Sequence, residues 1–202
     1  MMRVVLASQN PHKLAEIQRI TEQFDIELVL QSQLGLHLNI EENGKSFEEN
    51  SYIKAKAVMD ATGLPALADD SGIAVDALNG EPGIYSARYG FDDSLDDAGR
   101  RKLLLKNMEQ VPDGNRQAKF VCVITLVTPD GQIIQARGEV QGEITRTEEG
   151  ENGFGYDPVF YYPPYHRTFA QISPEDKNGV SHRGEALKVF YDKLVEAGYA
   201  DK

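Results

Sequence analysis

Basic residues are scarce in this chain of 202 residues: 21 Lys and Arg stand against 32 Asp and Glu, for a net charge of -11. Affinity for a phosphate backbone comes mainly from Lys and Arg, so the balance argues against a nucleic-acid partner. A small phosphorylated ligand needs only a local basic cluster and stays open. Cysteine is nearly absent too. The single Cys122 excludes an intrachain disulfide, and its place in the apolar run "FVCVITLV" reads as a buried structural thiol. No stretch approaches the ~20 apolar residues of a membrane span, and the N-terminal apolar run is too short for a signal segment, so the expectation is a cytoplasmic protein without a membrane partner. Internal repeats, low-complexity tracts and convincing linkers are missing as well. With 41% hydrophobic residues, the chain is long enough for one sizeable core, and a single domain over 1–202 is expected.

What is present alternates β-like and helical segments. "RVVLAS" is a short β-branched run. After it, Leu14, Ile17, Ile20 and Phe24 recur at helical spacing, with Asn10 suited to the N-cap and Pro11 to the first turn. "SFEE" is a capping box of Ser46 and Glu49 that opens a second helix, whose apolar positions are Ile53, Ala57, Val58 and Ala61 and whose end is Gly63. A third helix fits "SLDDAGRRKLLLKNMEQV". The runs "AKFVCVITLVT" and "QIIQARGEV", joined by "PDGQ", read as a β-hairpin. "GEALKVFYDKLVEAG" closes the chain as an amphipathic helix carrying Leu187, Phe190, Tyr191 and Leu194 on one side. This mixture predicts an α/β fold with a mixed sheet flanked by helices.

Four polar clusters lie in loops or at element ends, where functional groups gather on a rigid scaffold. "SQNPHK", Ser8 to Lys13, is at least a capped helix start; free helix amides with the Lys13 ammonium also suit an anion. It lacks the glycine pattern of a P-loop. In "IEENGKSFEEN", Glu48 and Glu49 suit the first turn of a helix, whereas Glu41 and Glu42 precede a turn from which they can reach a shared cation. "ADDSG" sets Asp69 beside Asp70. Two adjacent carboxylates at the end of a buried strand need relief from a cation, a substrate proton or solvent, and a Mg²⁺ ion shared with substrate phosphates gives it. The fourth cluster joins "NGFGYDPVFYYP" to "EDKNGVSHRGEAL": Phe154 between two glycines offers a stacking face, Lys177, His182 and Arg183 offer donors, and Ser181 suits an N-cap. Each cluster alone has a plain structural explanation; together they make the inventory of a nucleoside triphosphate site.

The same pieces, "SQNPHK", "EENGKSFEENSYIKAKA", "ADDSGIAVDALNGEPGIYSARYG", "GFGYDPVF" and "KNGVSHRGEAL", run nearly end to end, and in this order the sequence resembles the inosine triphosphate pyrophosphatases, which remove non-standard purine nucleotides such as dITP and XTP. Gln9 stands where that family often has glycine. The resemblance implies a two-lobed fold with the active site in the cleft, a homodimer, and Mg²⁺-dependent hydrolysis of a triphosphate to the monophosphate and pyrophosphate. It implies Asp70 as proton acceptor and metal-site residue, and Glu42 as a second metal-site acid, with Glu41 its competitor and Asp69 adjacent. Ser8, Gln9, Asn10, Pro11, His12, Lys13 and Ser71 are implied to meet the triphosphate and sugar. Phe154, Gly155, Tyr156, Asp157, Lys177, His182 and Arg183 are implied to hold the base.

That assignment is chemically coherent. Attack of water at the α-phosphorus needs a base, and the departing pyrophosphate needs cations. Hypoxanthine and xanthine present a 6-oxo acceptor where adenine presents a 6-amino donor, so Lys177 or Arg183 donors favour the former. Two rivals remain: a pyrophosphatase of modified pyrimidine or methylated nucleotides, as in the similarly folded septum-inhibition family, and a non-catalytic nucleotide-binding module.

Overall fold

The computed structural model describes residues 2–8, 13–15, 17–18, 26–92 and 94–199. Seven strands form one sheet: β1 (Met2–Leu6), β2 (Ile26–Leu30), β3 (Ala66–Val75), β4 (Gln117–Val127), β5 (Ile133–Ile144), β6 (Phe160–Tyr162) and β7 (Arg167–Thr168). Their order is β2-β1-β3-β4-β5-β6-β7; β1 runs parallel to β2 and β3, while β6 is antiparallel to β5 and β7. Helices with bounds inside the described residues are α1 (Phe47–Thr62), α2 (Asp97–Asn107), α3 (Pro174–Val180) and α4 (His182–Glu196). The mixed α/β architecture is the one expected. Among the described residues no helix is long and apolar enough to cross a membrane.

The chain divides into two compact units, one of Met1–Asp70, Cys122–Gly138 and Arg183–Lys202, the other of Ser71–Val121 and Glu139–His182. In the first unit, period-two alternation assigns strand residues to two cores. Val4 and Leu6 of β1 and Leu67 of β3 pack with Ala186, Leu187, Phe190 and Leu194 of α4. Val5, Ala66 and Ala68 face the other way, onto Ala55 and Val58 of α1. The sheet of this unit is therefore covered by α4 on one face and α1 on the other. Cys122 is fully buried in the α4-side core. The second unit has its own core, in which Phe120, Phe160 and Phe169 pack ring against ring at 4.5 to 5.8 Å.

Local expectations survive with revisions. Helix α1 starts at its N-cap Ser46, whose hydroxyl accepts from the Glu49 N–H at 3.1 Å, and stops at Gly63 with φ +67°. The return half of the capping box is displaced by one residue: the Glu49 carboxylate accepts from the Lys45 N–H at 2.6 Å. The buried face of α1 consists of Phe47, Asn50, Ser51, Lys54, Ala55 and Val58, so the expected apolar stripe through Ile53, Ala57 and Ala61 is rotated away from the core. Polar residues hold that face because it meets the acidic segment described below. Helix α2 begins at Asp97, capped by Asp96 accepting from Gly99 N–H at 2.7 Å, and is shorter than its sequence pattern. Residues 13–15 and 17–18 are helical, with Ile17 buried, while Gln9, Asn10, Pro11 and His12, together with Ile20 and Phe24, lie outside the described residues.

Candidate active site

Strand β3 does not end at the two acids, as the sequence suggested, but runs on through Ser71 to Val75. It is β1 that ends there, its last residue Leu6 lying opposite Leu67. The acids thus sit just beyond the carboxyl end of the neighbouring parallel strand, the usual ligand position of open α/β sheets. Alternation then settles what their adjacency means. Asp69 shares the face of Leu67, toward α4, and Asp70 shares the face of Ala66 and Ala68, toward α1.

On the α4 side the Lys13 ammonium stands 3.0 Å from Asp69 Oδ2, and Arg183 Nη2 donates to the same oxygen at 3.1 Å. Lys13 reaches there because it lies one helical turn before the buried Ile17. Asp69 is 2% exposed and Arg183 1%. Burial alone would raise the Asp69 pKa, but Lys13, Arg183 and Lys54 outweigh it and hold the carboxyl well below the usual carboxylate range. Two cations thus converge on one buried acid.

On the α1 side the balance is reversed. Lys54 Nζ donates to Asp70 Oδ1 at 3.1 Å and stands 3.3 Å from Glu42 Oε1. Burial, opposed by Lys54 and reinforced by the negative charge of Glu42, pushes the Asp70 carboxyl up to about 6. Burial also acts to lower the Lys54 pKa, yet Asp70, Asp69 and Glu42 prevail and raise it. Two acids thus converge on one cation. Asp70 Oδ2 is buried and accepts no hydrogen bond from the described residues. Hard carboxylate oxygens in this state suit Mg²⁺, provided that substrate oxygens and water complete its shell; among the described residues no group of three or more His, Cys, Asp or Glu could hold a metal by itself. Glu42, not the exposed Glu41, reaches this cluster. Its loop is tied to α1 by Asn50, whose Oδ1 accepts from Gly44 N–H at 2.9 Å.

The second unit gathers the aromatic cluster. Lys177, 4% exposed, donates to Asp157 Oδ2 at 2.6 Å, and its ammonium stands 4.8 Å from the centroid of the half-buried Phe154 ring. The same carboxylate oxygen accepts from the Phe154 N–H at 2.9 Å. At Gly153, with φ +75°, a Cβ would collide with that oxygen, so only glycine fits. Tyr156 is buried and its hydroxyl donates to the Ser86 carbonyl at 2.8 Å; it anchors the segment. The His182 ring stacks on Phe120 at 4.7 Å and 12°. Ser8 and Ser71 are half-buried.

The residue that sequence reasoning passed over is Lys54. Its signal was available: Phe47, Asn50, Ser51, Lys54, Ala55 and Val58 recur at three- and four-residue spacing, and a lysine on a buried helical face requires an acid opposite it.

The Ham1 family model matches residues 4–193. The dITP/XTP pyrophosphatase of Coxiella burnetii is 44% identical over 199 residues, covering 98% of each chain. That of Clostridium perfringens is 42% identical over 200 residues, covering 96% of this chain and 98% of the relative. The solved structure of a HAM1 protein from Coxiella burnetii superposes with a TM-score of 0.89 at 43% identity, over 97% of this chain and 100% of that one. By sequence along almost its whole length, and by a fold shared with a solved member, the chain belongs to the Ham1 family.

Proposed function

We propose that this chain is a nucleoside triphosphate pyrophosphatase that hydrolyses dITP, ITP and XTP to the monophosphate and pyrophosphate, and so clears non-standard purines from the nucleotide pool. The substrate class rests on the full-length similarity to relatives named dITP/XTP pyrophosphatase. The observation that carries the chemistry is the pair of ionic clusters on β3, Lys13 and Arg183 meeting Asp69 on one face and Lys54 meeting Asp70 and Glu42 on the other.

In this reading Asp70 Oδ2 takes a proton from the attacking water, a task that suits a carboxyl raised to about 6. The oxygen of that water bonds to the α-phosphorus, the bond to the bridging oxygen breaks, and pyrophosphate leaves with the electron pair. Asp70 and Glu42 would hold Mg²⁺, which supplies neutralisation of phosphate charge. Lys13, kept in place by Asp69, and Lys54 face the polyphosphate as fixed cations. Asp69 itself positions Lys13 and Arg183. Phe154 stacks on the base, with Lys177, His182 and Arg183 as donors to its 6-oxo edge. A site built on such hydrogen bonds discriminates against a base lacking the acceptor by roughly 10⁴. A single pyrophosphatase domain over 1–202, homodimeric and cytoplasmic, completes the proposal and draws its support from the family resemblance.

The test is pyrophosphate release with Mg²⁺ from dITP and XTP against dATP, whose base lacks the 6-oxo acceptor. Rates on the first pair exceeding that on dATP by orders of magnitude support the reading; comparable rates on all three sink it.

A further inference from the structure

Gly155 follows the stacking residue Phe154 in a left-handed conformation, φ +57°. An added Cβ there would meet nothing within 4 Å, so the glycine serves conformation rather than space. Glycine is also the residue freest to leave that conformation. Both of its backbone polar groups are nevertheless held, by two side chains of one helix. Asp97 Oδ2 accepts from the Gly155 N–H at 3.0 Å, and Arg101 Nη1 donates to the Gly155 carbonyl at 2.8 Å. Asp97 and Arg101 are four residues apart on α2, so they project from the same face. Arg101 is braced in turn by Glu148, which accepts from its Nε at 2.9 Å.

The two bonds act on different peptide planes. The Gly155 N–H belongs to the plane shared with Phe154, and the Gly155 carbonyl to the plane shared with Tyr156. Holding both fixes the torsions at the Gly155 Cα between them. With the Phe154 N–H already bonded to Asp157, the backbone on both sides of the Phe154 ring is set.

We propose that Asp97 and Arg101 are positioning residues for substrate: by gripping Gly155 they hold the Phe154 ring in the plane on which the purine stacks. This rests on the reading of Phe154 as the stacking residue, and the experiment separates the two claims. Steady-state kcat and KM for dITP are measured for Arg101→Met, Phe154→Ala and the double variant. Methionine keeps the aliphatic stem of Arg101 and loses only its donors. Asp97→Asn retains an acceptor for the Gly155 N–H, whereas Asp97→Ala removes it. The loss of one charge-assisted bond predicts a KM about tenfold higher for Arg101→Met, with kcat within about twofold. The double variant should be no worse than Phe154→Ala, and Asp97→Asn should stay close to the parent while Asp97→Ala does not.

If Arg101→Met costs the same factor with and without the Phe154 ring, the clamp acts elsewhere and the proposal is overturned. If Phe154→Ala itself leaves KM unchanged, the stacking assignment falls and the proposal with it. Should Arg101→Met fail to fold by circular dichroism, Asp97→Ala combined with Phe154→Ala decides the question by the same rule.

Discussion

Replacing Lys54 with methionine leaves Asp70 and Glu42 facing each other without the ammonium that now stands 3.1 and 3.3 Å from them. Breaking a buried pair by removing one partner costs about 3–5 kcal/mol when the remaining charge has no escape. Here it has one, because Asp70 can take up a proton. In the parent, the Asp70 carboxyl titrates at about 6 in the folded state, against about 3.9 in an unfolded chain. The folded state therefore binds more protons than the unfolded state between these values, so stability falls as pH rises through that window and this contribution is flat above it. Without Lys54 the folded pKa moves higher, and the falling region extends upward past 6. Each pH unit in the extension costs at most about 1.4 kcal/mol, so two units add up to about 2.7 kcal/mol to the deficit of the variant. Urea unfolding with chelator present, followed by far-UV circular dichroism because the chain has no tryptophan, gives the comparison. Lys54→Met should be destabilised far more at about pH 8 than at about pH 6. Equal deficits at both would refute the claim that Lys54 controls the proton on Asp70.

Other outcomes follow from the same geometry. Asp70→Asn should retain the fold and lose kcat by about 10² to 10⁴, the usual worth of a general base; retained turnover would move that role away from Asp70. For the parent enzyme with Mg²⁺, the acid limb of the kcat/KM profile should lie at or below about 6, since burial has raised the Asp70 carboxyl to that value and a bound cation only lowers it. Gly153→Ala, by driving a methyl group into Asp157 Oδ2, should disturb the Lys177 pair and raise KM for dITP more than it lowers kcat; unchanged KM would detach this segment from substrate. Arg116 donates to the carbonyls of Met108, Val111, Ile144 and Thr145 from a buried position, so Arg116→Met should lower stability in urea by about 3 kcal/mol without changing KM.

Local chemistry was legible in the sequence wherever one residue settles it. Ser46 and Gly63 bound α1 at the positions their chemistry requires, and the "PDGQ" turn connects β4 to β5. The extent of β3 was not legible. Asp69, Asp70 and Ser71 resemble the end of a strand, and only the sheet shows that the strand continues while β1 stops beside it. Adjacency left open how the two acids divide their tasks, whereas the two-residue period of a strand sends them to opposite faces, Asp69 to Lys13 and Asp70 to Lys54. Lys54 escapes the rule that apolar positions mark the buried face of a helix, which fails on a helix whose inner surface meets carboxylates. The grip of Asp97 and Arg101 on Gly155 spans more than fifty positions and has no signature in either segment alone.

The most direct measurement of the central claim is product analysis after hydrolysis of dITP in ¹⁸O-labelled water with Mg²⁺. Attack at the α-phosphorus predicts dIMP carrying the label and unlabelled pyrophosphate. Label in the pyrophosphate, or release of orthophosphate as the first product, would contradict it.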